Sequence, residues 1–140
     1  MNYYPIFLDL RGRQCLVVGG GQVATRKVEG LLKAGARVTV ISPESTETLG
    51  EWREEGKIIY LKRCYQRGDL KGYFLVYAAT DLAEVNSEMA EEARAERVLL
   101  NVVDRSPFCG FVSPSVLERG DLIIAVSTGG KSPGFAKLVR

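Results

Sequence analysis

Apolar positions along this chain of 140 residues fall into two periods. Short β-branched or apolar runs stand at about 14–18, Arg37–Ile41, Lys57–Leu61, Tyr73–Ala79 and Arg97–Val102, each of strand length. Between them the spacing turns helical. Over about 22–34, Ala24, Val28, Leu31, Leu32 and Gly35 share one face, Arg26, Lys27 and Lys33 lie outside it, and Gly35 stands where a left-handed residue ends a helix. A second helix is expected over about 46–55, capped by Ser45, solvated at Glu51, Glu54 and Glu55, and ended by Gly56. A third is expected after Asp81 as cap, with Glu84 completing a capping box and Leu82, Val85, Met89 and Ala93 forming its apolar face. Residues 5–10 read as an extended lead-in, and the polar, glycine-punctuated stretch 63–72 as loop.

Strands alternating with helices predict an α/β fold, a Rossmann-type doubly wound parallel sheet. Ligands in such sheets bind beyond the carboxyl ends of the strands. Those ends are Gly19 to Val23, Ser42 to Glu44, Ala78 to Asp81, and Asn101 to Asp104. After residue 104 the pattern changes. A loop at 105–110 precedes a short strand at 111–114, a turn at Gly120 and a strand at 121–127. Ser132 and Pro133 then open a helix that has barely begun at Arg140, as expected of a piece of a longer protein.

Chemistry enters at the end of the first strand. Gly19-x-Gly21-x-x-Ala24 has the dinucleotide-binding spacing in its alanine-ended form, with strand before and helix after. Gly19 permits the sharp turn, Gly21 lets a pyrophosphate approach the backbone, and Ala24 lets the helix pack on the sheet. The free N–H groups of the helix start then face the anion. A plain glycine turn is the bland alternative. The ribose-binding acid expected at the tip of the second strand is displaced: Ser42 stands there and Glu44 follows two residues later, with no arginine to welcome a 2′-phosphate. NAD is therefore favoured, although Glu44 also reads as an ordinary solvated charge.

A second glycine-rich stretch, Ala125 to Ser132, is one residue from a phosphate loop, with Ala125 in place of the first glycine. A strand running through Ala125, the proline at 133 and the few residues left argue against an NTPase. An anion-binding nest over Thr128 to Ser132, with Lys131 supplying charge, remains the reading there.

Bulk composition narrows the rest. A net charge of +2 gives no reason to expect nucleic acid, and no apolar run reaches membrane-spanning length. The N-terminus lacks the features of a signal peptide, so a cytoplasmic protein with no membrane partner is expected. Cys15, Cys64 and Cys109 read as reduced thiols, Cys15 in the core, and no metal site is expected. The chain has no histidine, so acid–base work falls to Asp, Glu, Lys, Tyr or Cys.

Taken together, Pro5-Ile6-Phe7, Val17 to Gly21 with Val23-Ala24 and Arg26-Lys27, Ala78 to Asp81, Asn101-Val102-Val103-Asp104, Pro114-Ser115, and Ala125 to Pro133 resemble one family over essentially the whole chain. It is precorrin-2 dehydrogenase, the N-terminal module of siroheme synthase, including its bifunctional dehydrogenase–ferrochelatase members. The resemblance implies NAD-dependent oxidation of precorrin-2 to sirohydrochlorin, in some members followed by insertion of Fe²⁺ as a substrate, by a homodimer. It implies an NAD-binding domain over 1–113 and the beginning of a dimerisation segment over 114–140. Asp104 takes the place of the family's essential aspartate, just past the fifth strand. A carboxylate suits the proton that leaves with the hydride.

The resemblance also implies cofactor contacts at Gly19, Gly21, Gln22, Val23, Ala24, Pro43, Glu44 and Thr80. The tetrapyrrole is expected at Asn101, Arg105, Thr128, Gly129 and Lys131; Arg105, Arg119, Lys131 and Lys137 could pair with its carboxylates, and each reads equally as a solvated surface charge. Thr128 stands where some relatives carry a serine. The rival expectation is a non-enzymatic NAD(H)-sensing domain on the same fold, which would need the glycines but neither Asp104 nor the 125–133 loop.

Overall fold

A computed structural model describes residues 3–103 and 108–127. It divides the chain into two compact units, Leu8–Gly110 on the one hand, and Met1–Phe7 with Phe111–Arg140 on the other. The larger unit runs β1 (Gln14–Val18), α1 (Gln22–Lys33), β2 (Arg37–Ile41), α2 (Glu47–Glu54), β3 (Ile59–Leu61), β4 (Leu75–Ala78), α3 (Ala83–Glu96) and β5 (Leu99–Val102). Its five strands are all parallel, in the order β3-β2-β1-β4-β5. This is the expected doubly wound sheet. The strand order reverses between β1 and β4, which opens the crevice where such folds bind ligands.

Register decides which side chains share a face. Leu16, Val18, Ile41, Val76, Ala78, Leu100 and Val102 point to one side and pack with Leu70 and with Met89, Ala90 and Ala93 of α3. Cys15, Val17, Val40 and Leu75 point to the other, where Ala24, Val28 and Leu31 are the buried residues of α1. Burial on both faces explains why these strands read as continuous apolar runs. It also pushes the Cys15 thiol up to about 11, so that residue is inert core. Gly35 ends α1 at φ +82, with its own N–H on the Leu32 carbonyl and the Ala36 N–H on that of Leu31.

Several expectations need correction. The α2 cap is Thr46, not Ser45. The Thr46 hydroxyl accepts from the Leu49 N–H and pairs with the Thr25 hydroxyl, while its N–H donates to the Gly20 carbonyl. Those ties to the glycine turn leave Ser45 exposed. Asp81 does not cap α3, and no capping box forms. The Leu82 N–H is taken by the Thr80 hydroxyl, so the helix starts one residue later with Leu82 as an extended N-cap. Leu82 is thereby outside the helical period and 62% exposed, not part of the apolar face. Strands three to five are shorter than expected. Residues 111–114 form no strand, since Pro114 has no N–H to give a ladder and pairing begins only at Ser115.

The loop at 63–72 is held from outside. Glu92 of α3, 4% exposed, accepts from the Tyr65 hydroxyl at 2.5 Å and from the Gly68 and Leu70 N–H groups, each at 3.0 Å. Arg63 and Asp69 add an ion pair at 2.8 Å. Beyond β5 the chain returns to the sheet edge. The Gly110 N–H donates to the Leu100 carbonyl, and the Cys109 thiol both accepts from the Val102 N–H and donates to the Val102 carbonyl. In the smaller unit, β6 (Ser115–Arg119) and β7 (Leu122–Val126) form an antiparallel hairpin turning at Gly120. No helix among the described residues is long and apolar enough to cross a membrane.

Burial, then the Glu92 carboxylate, hold the Tyr65 hydroxyl above its ordinary range near 10. A group whose folded pKa is raised loses its stabilising contribution as pH climbs past its unfolded value. Tyr65→Phe should cost about 2 kcal/mol at neutral pH. The gap to the unaltered protein should narrow in urea melts above pH 10.

Candidate dinucleotide site

The site is built at the carboxyl ends of β1, β2 and β4, where three turns meet largely through backbone. Gly19 leaves β1 at φ +130, with its N–H on the Ile41 carbonyl at 2.9 Å. A Cβ there would lie 2.3 Å from the Ala79 carbonyl oxygen. The turn after β1 is thus closed against the turn after β4, across the crevice, and no side chain fits between them.

Gly20 was not singled out by the dinucleotide spacing, yet it is as constrained. A Cβ on it would sit 1.8 Å from the Glu44 carbonyl oxygen and 2.7 Å from the Ser42 hydroxyl. The run of three glycines was the visible signal. Its reason is tertiary, because the β2–α2 loop folds down onto the middle glycine. Gly21 is the opposite case, with nothing within 4 Å of where its Cβ would be. It caps α1 with no side-chain cap and no acid in the first turn, so no side chain of the helix's own first turn neutralises the partial positive charge of that start. The Thr25 N–H and hydroxyl both turn back to the Gly21 carbonyl, which fixes the turn without covering its outer side. Gln22 is exposed, Val23 half-buried, and Ala24 packed at 1% exposure. An open glycine at an uncapped helix start fits a pyrophosphate.

At the end of β2, Ser42 is buried and its hydroxyl donates to the Glu44 carbonyl at 2.6 Å, while its own carbonyl accepts from the Tyr60 hydroxyl. The residue standing where a ribose-binding acid belongs is therefore spent on its own loop. Pro43 and Glu44 are exposed beside it. At the end of β4, Thr80 is half-buried, its hydroxyl on the Leu82 N–H and its carbonyl held by the Asn86 side chain. The structure thus brings Gly19, Gly21, Gln22, Val23 and Ala24 to the same sheet end as Pro43, Glu44 and Thr80. Asn101 is placed differently. It lies within β5, 7% exposed, paired in register with Tyr77 and sharing its face of the sheet. Asp104, Arg105, Thr128, Gly129 and Lys131 lie outside the described residues, as does the helix expected from Ser132. β7 does run through Ala125, as the argument against a phosphate loop requires.

With this geometry in hand, comparison with known proteins is specific. The NAD(P)-binding family model matches residues 6–115, and that of the sirohaem biosynthesis protein central region matches residues 119–140. Siroheme synthases of Nitrosococcus oceani and Methylobacillus flagellatus are each 49% identical over 140 residues, which is all of this chain. The chain spans 30% of the length of these curated relatives. The solved structure of SirC, precorrin-2 dehydrogenase, superposes with a TM-score of 0.88 at 33% identity, covering 98% of this chain and 67% of that one.

The contrast between the glycines is testable. Gly21→Ala meets no neighbour, so it should cost about 1 kcal/mol or less in a thermal melt. By blocking the approach of the pyrophosphate it should weaken NAD binding, read by calorimetry, by about tenfold or more. Gly20→Ala should instead lower the melting temperature sharply, because its new methyl cannot coexist with the Glu44 carbonyl.

Proposed function

Because the chain belongs to the NAD(P)-binding family of siroheme synthases and precorrin-2 dehydrogenases, we propose that it carries the NAD-dependent oxidation of precorrin-2 to sirohydrochlorin. The observation that carries the reading is the pairing of the NAD(P)-binding family match over residues 6–115 with the open Gly21 at the uncapped start of α1. The pyrophosphate would lie at Gly21 and Gln22, and the adenosine side would reach Pro43 and Glu44. The nicotinamide side would border Thr80, across the crevice marked by the Gly19–Ala79 contact. Bound NAD supplies a hydride acceptor. The chain supplies position and a base: Asp104 follows β5 by two residues and takes the proton that leaves as the hydride departs.

In this reading Asn101, within β5, contacts the tetrapyrrole from the end of the sheet. Arg105, Thr128, Gly129 and Lys131 receive its carboxylates. Where Fe²⁺ insertion accompanies oxidation, the iron is a substrate and the same Asp104 accepts the pyrrole protons it displaces. The working form is a homodimer. In support, the β6–β7 hairpin exposes Val116, Leu122, Ile123 and Ile124, and a two-stranded hairpin is marginal on its own.

The test is precorrin-2 with NAD, followed by the absorbance change as the macrocycle becomes conjugated. Asp104→Ala should lower kcat by about 100-fold or more with the KM for NAD unchanged. No oxidation by the unaltered protein would leave the NAD-sensing alternative standing. Full oxidation by the variant would remove Asp104 as the base. Ile123→Lys should shift the protein toward monomer in sedimentation, since it places charge in the proposed dimer surface.

A further inference from the structure

One buried polar group is not accounted for by the fold. Asn86 lies in the first turn of α3 and is 3% exposed. Its side-chain Nδ2 donates to the Thr80 carbonyl at 3.0 Å. A carbonyl oxygen only accepts, so this bond fixes which way the carboxamide faces and leaves Oδ1 on the other side. Oδ1 is buried with no hydrogen-bond partner among the described residues. Burying a carboxamide to make one bond while stranding its acceptor is a poor way to stabilise a helix start, and a small apolar side chain would avoid that cost.

What the bond does instead is local. Thr80 belongs to the turn whose preceding residue, Ala79, presses its carbonyl against Gly19. The Ala79 N–H is bonded to the Val18 carbonyl, and the Ala78 carbonyl accepts from Val103. The turn is thus pinned to β1 on one side and to the end of β5 on the other. The Thr80 hydroxyl is committed to the Leu82 N–H, and among the described residues it is Asn86 that holds the Thr80 carbonyl.

We propose that Asn86 is a positioning residue for the dinucleotide: its carboxamide sets the Thr80 carbonyl, and with it the β4–α3 turn that borders the nicotinamide side of the site. This rests on the dinucleotide reading of the site. Asn86 contacts no cofactor atom itself. The cost of its stranded Oδ1 is borne for the orientation of its Nδ2.

The test uses the complete chain, with NAD binding read by calorimetry and stability by thermal melting, for Asn86→Ala and Asn86→Asp. Asn86→Ala removes both the bond and the stranded acceptor. It should weaken NAD binding about tenfold while leaving the melting temperature unchanged or higher. Asn86→Asp keeps the shape but, ionised, cannot donate to the Thr80 carbonyl. It should lose NAD affinity at least as far. A purely structural Asn86 would instead lose melting temperature and affinity together, and that result would overturn the proposal. NAD affinity within twofold of the unaltered protein in the alanine variant would overturn it as well. Should Asn86→Asp fail to fold, the alanine variant alone decides. Failure of the unaltered protein to bind NAD would instead remove the dinucleotide reading, and this proposal with it.

Discussion

The site depends on main chain lying against main chain. At Gly19 and Gly20 two turns come close enough that a single methyl group would collide with a carbonyl oxygen, of Ala79 in one case and of Glu44 in the other. These contacts draw the ends of β1, β2 and β4 together. They are held by the pairing of the strands behind them and by the Gly19–Ile41 and Thr46–Gly20 backbone bonds. The interlock also explains the contrast with Gly21. Gly19 and Gly20 are required by what packs on them, while Gly21 has open space around it.

The same economy shapes the polar groups around the crevice. Ser42 and Thr46 spend their hydroxyls on the loop they belong to or on the neighbouring helix start. The Thr80 hydroxyl likewise closes its own turn. Among the described residues, what faces outward is backbone and the exposed residues Gln22, Pro43 and Glu44. Under the proposed reading, such a site would recognise a phosphate by N–H groups and helix orientation more than by charge, in keeping with a chain whose net charge is only +2.

The sheet was legible because its signal is periodic and repeated. β1 and β2 fall where the apolar runs placed them, and the Gly35 terminus of α1 follows from the one residue that adopts a left-handed turn there without strain. Helix starts were harder, since a cap is chosen by tertiary partners. Thr46 displaced Ser45 because Gly20 and Thr25 were waiting for it, and Thr80 displaced Asp81 by closing a turn of its own. The buried polar residues were illegible for a related reason. Glu92 and Asn86 look like surface positions until the loops they hold are in place, and no spacing rule links Glu92 to Tyr65 or Leu70. In the candidate site the glycine spacing marked the cofactor end, whereas the assignment of the catalytic carboxylate and of the tetrapyrrole contacts came from likeness to a family.

Cys109 carries a consequence for how the molecule behaves in a crowd. β5 is an edge of the sheet, and an edge strand offers bare N–H and C=O groups to any passing chain. Here a thiol occupies both groups of Val102, and the Gly110 N–H occupies the carbonyl of Leu100. The opposite edge, β3, is only three residues long. One rim of the sheet is therefore partly covered by its own chain and the other is only three residues long. Strand-to-strand aggregation of the folded unit is thereby disfavoured at both rims.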